Sequence, residues 1–142
     1  MVAIGSDHGG YELKEFVKKH LDERKIPYED KGCFDKNSCD YPVFGKAVAN
    51  AVAAGECEKG IVICTTGIGM SIVANKVKGI RCGLCADTLS ARMTREHNDA
   101  NILAMGAGIV GHNLAISIVD TFLDTEFSEA EKHKRRISML ED

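Results

Sequence analysis

The chain has 142 residues and a mass of 15.4 kDa, which is enough for one domain. Hydrophobic residues make up 44% and charged residues 27%, as in a typical soluble globular protein. The 18 basic and 21 acidic residues leave a formal charge of −3, so neither a nucleic acid nor an anionic membrane is an expected partner. No apolar stretch is long enough to span a bilayer.

The N-terminal residues lack a basic region followed by a long apolar stretch, so we expect no signal peptide and a cytoplasmic protein. The six cysteines are therefore expected to be reduced thiols. There is no internal repeat, low-complexity segment or break in composition. Residues 1–142 are expected to form a single domain.

Apolar runs and helical spacings alternate along the chain. Strands are predicted at Val2–Gly5, Ile26–Asp30, Gly60–Cys64, Ile80–Ala86 and Ile102–Met105. Helices are predicted over residues 13–21, from the cap Asp40 to Val52 with Pro42 in the first turn, after Ser71 through about Lys76, and over residues 88–96, 114–123 and 128–140. The alternation predicts an α/β fold, a three-layer α/β/α Rossmann-like sandwich with a five-stranded parallel sheet.

Ligands of such folds bind beyond the carboxyl ends of the strands, and the segment Cys64–Ser71 follows a predicted buried strand. Its Gly-x-Gly turn opens a helix, where converging N–H groups favour a phosphate or a developing oxyanion. The same positive potential favours the thiolate of Cys64, the reactive form of cysteine. The alternative is a small buried thiol beside glycines that only turn the chain.

The segment Asp7–Gly10 follows the first predicted strand. Asp7 and His8 can hydrogen-bond sugar hydroxyls or a phosphate, and the glycines allow close approach of a ligand. The alternative is a simple helix cap with an exposed imidazole.

His97 lies between the fourth helix and the fifth strand, and we expect it to face the same edge of the sheet as Cys64. It can act as an acid or base near neutral pH. The alternative is a histidine that interacts with the helix dipole.

Two further motifs are ambiguous. In the basic run Lys132–Arg136, the residues Lys132 and Arg136 lie four apart and can hold one phosphate together, although such runs are often only a solvated helix face. Cys82 and Cys85 have the spacing of a redox or zinc motif. Because residues three apart in a strand point to opposite faces, these two thiols cannot easily hold one metal ion, and we interpret both cysteines as core thiols.

In this order the motifs resemble the type B ribose-5-phosphate isomerases, which group with allose-6-phosphate isomerases and galactose-6-phosphate isomerase subunits. The resemblance runs from Val2 to about Ile137. It rests on the segments Gly5–Gly10, Asp40–Pro42, Cys64–Ser71, Ala74–Lys76, Gly79–Arg81 and Arg95–Asn101.

The resemblance implies interconversion of D-ribose 5-phosphate and D-ribulose 5-phosphate through an enediolate, in the non-oxidative pentose phosphate pathway. It implies Cys64 as the base and His97 as the group that assists ring opening. The remaining implied contacts are an anion hole of Thr66, Gly67 and Gly69 closed by Ser71, further loop contacts from Thr65 and Ile68, sugar contacts from Asp7 and Asn98, and phosphate contacts from His8, Lys132 and Arg136.

The resemblance also implies no metal or organic cofactor. It implies a homodimer, with a tetramer as the alternative, whose site takes residues from both chains, and a C-terminal helix that reaches the partner. The sequence departs from the family pattern in three places. Thr65 replaces a usual glycine, Gly108 replaces a frequent phosphate-binding arginine, and the basic tail matches only with one inserted residue, which leaves Arg135 as the alternative to Arg136.

Three rival functions stay open on the sequence alone. The first is isomerisation of a six-carbon sugar phosphate such as allose 6-phosphate or galactose 6-phosphate. The second is a phosphate- or nucleotide-binding regulatory module without turnover, favoured by Gly108 but opposed by the intact set of Cys64, Thr66 and His97. The third is a thiol redox protein that uses Cys82 and Cys85.

Overall fold

The computed structural model describes residues 1–142 and contains one sheet of five parallel strands. The strands are β1 Val2–Ser6, β2 Tyr28–Asp30, β3 Lys59–Cys64, β4 Cys82–Leu84 and β5 Ile102–Gly106. Their order across the sheet is β2-β1-β3-β5-β4. The predicted α/β fold with a five-stranded parallel sheet is confirmed, although β4 is shorter than its apolar run suggested.

Six α-helices connect or follow the strands, and a short 3₁₀ turn at His8–Gly10 precedes the first of them. They are α1 Tyr11–Glu23, α2 Tyr41–Ala53, α3 Ile68–Asn75, α4 Thr88–Asn98, α5 His112–Asp124 and α6 Glu131–Leu140. None of these helices is both long enough and apolar enough to cross a membrane.

The helices cover both faces of the sheet. Because successive strand residues point to opposite sides, each strand contributes side chains to the two cores that lie under these helices. In β3, Ile61 and Ile63 pack in the core shared with α1, α4 and α5, whereas Val62 and Cys64 pack in the core shared with α2 and α3. Phe122 of α5 and Met70 of α3 are fully buried in these two cores. Cys64 therefore lies on the α2 and α3 side of the sheet.

The chain changes direction across the sheet between β1 and β3. From β1 it crosses through α1 to β2 on one side. From β3 it crosses through α3 to the edge strand β4 on the other side and returns through α4 to β5, which lies between β3 and β4. The loops that follow β1 and β3 flank this switch point at the carboxyl edge of the sheet, which is where parallel α/β folds bind ligands. These loops carry Asp7, His8 and Cys64–Ser71.

The start of α2 differs from the prediction in one detail. Asp40 precedes the first helical residue, and Pro42 lies in the first turn as expected, but the Asp40 side chain makes no capping hydrogen bond. Pro42 has no N–H to offer, and the N–H of Val43 donates to the backbone oxygen of Asp40 instead. A capping carboxylate accepts a hydrogen bond from the second or third N–H of the helix. Here the second is missing at Pro42, and the third, of Val43, is already used.

A buried ion pair joins α1 to the end of β2. The Lys14 side chain is fully buried, and its ammonium donates to both carboxylate oxygens of Asp30 at 2.7 Å and to the carbonyl of Cys33 at 2.6 Å. Lys18 also donates to Asp30, at 2.8 Å. These contacts fix the chain that leaves β2 and leads to the loop before α2.

Candidate active site

The thiol of Cys64 lies at the centre of the loop that joins β3 to α3. Cys64 is buried, and the backbone N–H of Gly67 donates to its sulfur at 3.1 Å. Gly67 has a φ of +80°, a left-handed conformation that glycine adopts without strain and that brings the chain back towards the thiol. This contact fixes the sulfur inside the loop, with the Gly67 N–H as its hydrogen-bond donor.

The same loop presents backbone donors for an anion. The Thr66 hydroxyl accepts from the N–H of Ile68 at 3.2 Å, and the Ser71 hydroxyl donates to the carbonyl of Ile68 at 2.7 Å, which closes the loop on itself. The N–H groups of Gly69 and Met70 donate to no backbone carbonyl. They lie in the first turn of α3, where the helix dipole adds to their attraction for negative charge.

Tyr41 forms a wall of this loop that the sequence reasoning did not predict. A Cβ atom added to Gly69 would lie 2.7 Å from the Tyr41 ring, so the glycine permits close packing of α2 against the loop. Tyr41 belongs to the quoted segment Asp40–Pro42, but nothing in its spacing indicated a role. Only the packing of α2 on α3 reveals it.

Asp7 and His8 lie beside the loop, after β1. Asp7 is buried, and its Oδ1 accepts from the N–H of Gly10 at 3.0 Å, so it caps the turn that starts α1. His8 is exposed, and its Nδ1 lies 3.3 Å from the N–H of Cys39, which donates to it. This contact requires the neutral ring to carry its proton on Nε2, where it can be donated to a ligand.

His97 and Asn98 do not lie with these residues, and the prediction that His97 faces the same edge as Cys64 is wrong. Both end α4 and precede β5, which starts at Ile102 opposite Gly60, the second residue of β3. A segment that leads from a helix into a parallel strand lies at the amino edge of the sheet. Cys64 is instead at the carboxyl edge, opposite Gly106.

The C-terminal basic run lies with His97. The ring of His133 in α6 stacks on that of His97 with centroids 4.4 Å apart. Partial desolvation, and then the positive charges of His97, Lys132 and Arg136, hold the pKa of His133 below its ordinary value. One chain therefore carries two separate groups of predicted site residues. The first group lies at the carboxyl edge and contains Asp7, His8, Cys64, Thr65, Thr66, Gly67, Ile68, Gly69 and Ser71. The second lies towards the amino edge and contains His97, Asn98, Lys132 and Arg136.

Cys82 and Cys85 lie on opposite faces of the sheet, as predicted. Cys85 belongs to the core with α1, α4 and α5, and Cys82 packs against the other core. Burial raises the pKa of Cys82 to about 12 and that of Cys85 to about 11, with smaller contributions from Cys85 and Asp87 respectively. Both thiols stay protonated at neutral pH, which does not suit a thiol redox site.

Comparison with known proteins supplies the family. The family profile described as Ribose/Galactose Isomerase matches residues 2–140. The chain belongs to the ribose/galactose isomerase family. This confirms the resemblance that the ordered motifs indicated.

Relatives of known name match over almost their whole length. The ribose-5-phosphate isomerase B of Escherichia coli (strain K12) is 44% identical over 139 residues, which are 98% of this chain and 93% of the relative. The solved ribose-5-phosphate isomerase B of Clostridium thermocellum is 51% identical with a TM-score of 0.97 and covers 99% of this chain and 94% of that one. The enzyme of Thermotoga maritima is 45% identical with a TM-score of 0.96, with coverage of 99% and 96%.

Proposed function

We propose that this member of the ribose/galactose isomerase family interconverts D-ribose 5-phosphate and D-ribulose 5-phosphate, with Cys64 as the base. The observation that carries the proposal is the contact of the Gly67 N–H with the Cys64 sulfur, in a loop whose next N–H groups have no backbone acceptor. A thiolate base beside free backbone donors is what proton transfer next to a carbonyl needs.

In the reaction, the Cys64 thiolate takes the proton from C2 of open-chain ribose 5-phosphate, and the electron pair of that C–H bond moves to form the enediolate. The resulting thiol returns the proton to C1 while the proton of the C2 hydroxyl passes to O1, so that C2 becomes the carbonyl carbon of the ketose. The N–H groups of Gly69 and Met70 hold the oxyanion that develops on the sugar, and the Thr66 hydroxyl fixes the loop at Ile68. No oxidant, metal or organic cofactor takes part in this step.

Ring opening needs an acid or base, and His97 is the group that we propose for it. Because His97 and Asn98 lie at the amino edge, we propose that they act in the site of a second copy of the chain. In a two-fold homodimer, the amino edge of one copy meets the carboxyl edge of the other, and two equivalent sites form. Lys132 and Arg136 then bind the phosphate beside His97 of the same chain.

An exposed apolar surface on α2 and α3 supports this assembly. Val43, Ile68 and Ile72 are 61%, 53% and 55% exposed, next to the Cys64 loop. Neighbouring large apolar side chains on a surface mark an interaction site more often than chance. Helix α6 has no buried residue, and Met139 and Leu140 are exposed at its end, which supports the expectation that it reaches the partner.

The protein acts in the cytoplasm in this proposal. All six cysteines are unpaired, including the one assigned as base, which suits a reducing compartment. A six-carbon sugar phosphate is the second candidate substrate, because a cavity of about 330 Å³ lined by His8, Thr65 and Gly108 lies at this edge of the sheet.

A coupled isomerase assay on ribose 5-phosphate, allose 6-phosphate and galactose 6-phosphate tests the proposal. The expected result is a kcat/KM for ribose 5-phosphate at least tenfold above that for either hexose phosphate. A preference for a hexose phosphate would reassign the substrate. No turnover of any of the three would reject the enzyme and favour a phosphate-binding module.

A further inference from the structure

A cavity of about 330 Å³ opens at the carboxyl edge of the sheet, between the turn after β1 and the turn after β5. His8, Thr65 and Gly108 line it together with Glu12, Lys36 and His112. A second cavity at this edge, between the Cys64 loop and the end of β4, contains Asp87 and no lysine, arginine or histidine. A phosphate dianion that is bound within one chain at this edge therefore belongs in the first cavity.

The Thr65 side chain sets the shape of this cavity. Its hydroxyl would lie 2.4 Å from a Cβ atom at Gly9, and its methyl group would lie 3.2 Å from a Cβ atom at Gly108. Thr65 thus fills the space between two glycines, and a long side chain at position 108 would have to displace it. Besides Lys132 and Arg136 of the second copy, a further cation for the phosphate can therefore come only from another element of the same chain.

Lys36 is that cation. It lies on the loop between β2 and α2, and the N–H of Cys39 in the same loop donates to His8, which ties the loop to the cavity. The Lys36 ammonium pairs with the carboxylate of Glu12, and the two side chains are 64% and 71% exposed. An exposed ion pair of this kind contributes little free energy, so the ammonium can turn from a carboxylate to a phosphate dianion at small cost.

We propose that Lys36 binds the substrate phosphate in this protein and that Glu12 is its counter-ion in the empty site. The proposal rests on the function proposed above, because it assumes a sugar phosphate whose reacting end lies at Cys64. Glu12 holds Lys36 in place before binding and weakens binding through its negative charge. The His8 proton on Nε2 supplies a second donor to the phosphate from the same cavity.

The test is a set of substitutions read out by steady-state kinetics and by calorimetry with inorganic phosphate. Lys36→Met should raise KM for ribose 5-phosphate and Kd for inorganic phosphate by about 5- to 20-fold, with kcat changed less than twofold. Lys36→Arg should restore both values to within about threefold. Glu12→Gln should lower both by about two- to threefold, because it removes a negative charge from the cavity.

Lys19→Met is the matched control. It removes one positive charge from an exposed site on α1, away from the cavity, and should leave KM and Kd unchanged. Values for Lys36→Met that stay within twofold of the unmodified protein, or that move no more than those of Lys19→Met, would overturn the proposal. Calorimetry with inorganic phosphate distinguishes a failure of the Lys36 proposal from a failure of the isomerase proposal. An inactive protein that binds phosphate through Lys36 refutes the isomerase, whereas an active isomerase indifferent to Lys36 refutes only this site.

Discussion

The thiol of Cys64 and the imidazole of His97 belong to opposite edges of one sheet. Cys64 ends β3 opposite Gly106, whereas His97 precedes the start of β5 at Ile102, which pairs with Gly60. The step from Ile102 to Gly106 along β5 is four residues, a rise of about 13 Å from the amino edge to the carboxyl edge of the sheet. A sugar therefore cannot contact Cys64 and His97 of the same chain in one reaction, and their joint action requires a second chain.

Removal of the base should abolish turnover without unfolding the protein. We expect Cys64→Ala to lower kcat by about 10²- to 10⁴-fold, the range for loss of a general base, while its thermal unfolding stays close to that of the unmodified protein. Cys57→Ala, at a buried thiol on the same side of the sheet, is the control and should retain kcat. A Cys64→Ala variant with more than about a tenth of the original kcat would exclude Cys64 as the base.

Loss of His97 should depend on whether the substrate is cyclic. His97→Asn should lower kcat/KM for ribose 5-phosphate much more than for a four-carbon aldose phosphate, which has no ring of this kind to open. Parallel assays on the two substrates measure the difference. Equal losses would mean that His97 serves the proton transfer or the packing against His133 instead.

The two arginines at the end of the basic run should differ in effect. Arg136 lies three residues after His133, on the side of α6 whose His133 stacks on His97, whereas Arg135 lies two residues after His133 and faces another side. Arg136→Ala should raise KM for phosphorylated sugar by about 10-fold or more, whereas Arg135→Ala should have little effect. If Arg135→Ala raised KM and Arg136→Ala did not, the basic run would match the family pattern without the inserted residue. If neither variant changed KM, neither arginine would bind the phosphate.

The buried ion pair at the end of β2 should be needed for stability. Asp30→Asn should lower the free energy of unfolding by about 2–4 kcal/mol, because it leaves the fully buried Lys14 ammonium without its carboxylate. Glu29→Gln, in the exposed pair with Lys31, is the control and should cost less than about 1 kcal/mol. Chemical denaturation at pH 7 measures both.

The same pair gives a pH dependence with a defined sign. Burial acts to raise the pKa of Asp30, but hydrogen bonds from Lys14 and Lys18 outweigh it and hold the pKa below its ordinary value. The stabilisation is therefore complete above about pH 4 and is lost as the pH falls through the pKa of the folded state. The difference in stability between the unmodified protein and Asp30→Asn should shrink below about pH 4. A difference that stays constant down to pH 2 would contradict the assignment.

The sequence predicted the fold, and it predicted which candidate residues gather at the carboxyl edge of the sheet, for identifiable reasons. The apolar run Gly60–Cys64 and the amphipathic spacing from Leu13 to Leu21 are local signals that tertiary packing did not override. The position of Cys64 at the end of a buried strand followed from the same run. Alternation of strands and helices then left few ways to connect them.

The motifs alone could not predict where His97 lies in the fold or which residues Lys36, Glu12 and Tyr41 contact. His97 lies in the last turn of α4, just before β5, and the end of a helix that leads into a parallel strand lies at the amino edge of the sheet. Its possible role as an acid or base suggested the carboxyl edge instead. Lys36 meets Glu12, and Tyr41 meets Gly69, only through the packing of segments that are distant in the sequence. No periodicity or spacing in the chain marks those contacts.

The most direct test of a site shared between two chains is subunit complementation. The Cys64→Ala and His97→Asn variants are co-expressed in equal amounts, and the unseparated mixture of dimers is assayed on ribose 5-phosphate. In a mixed dimer one site carries both substitutions and the other carries neither, so random pairing should restore about a quarter of the normal activity per chain, although each variant alone is nearly inactive. If Cys64 and His97 act within one chain, every site carries a substitution and the mixture stays as inactive as its components.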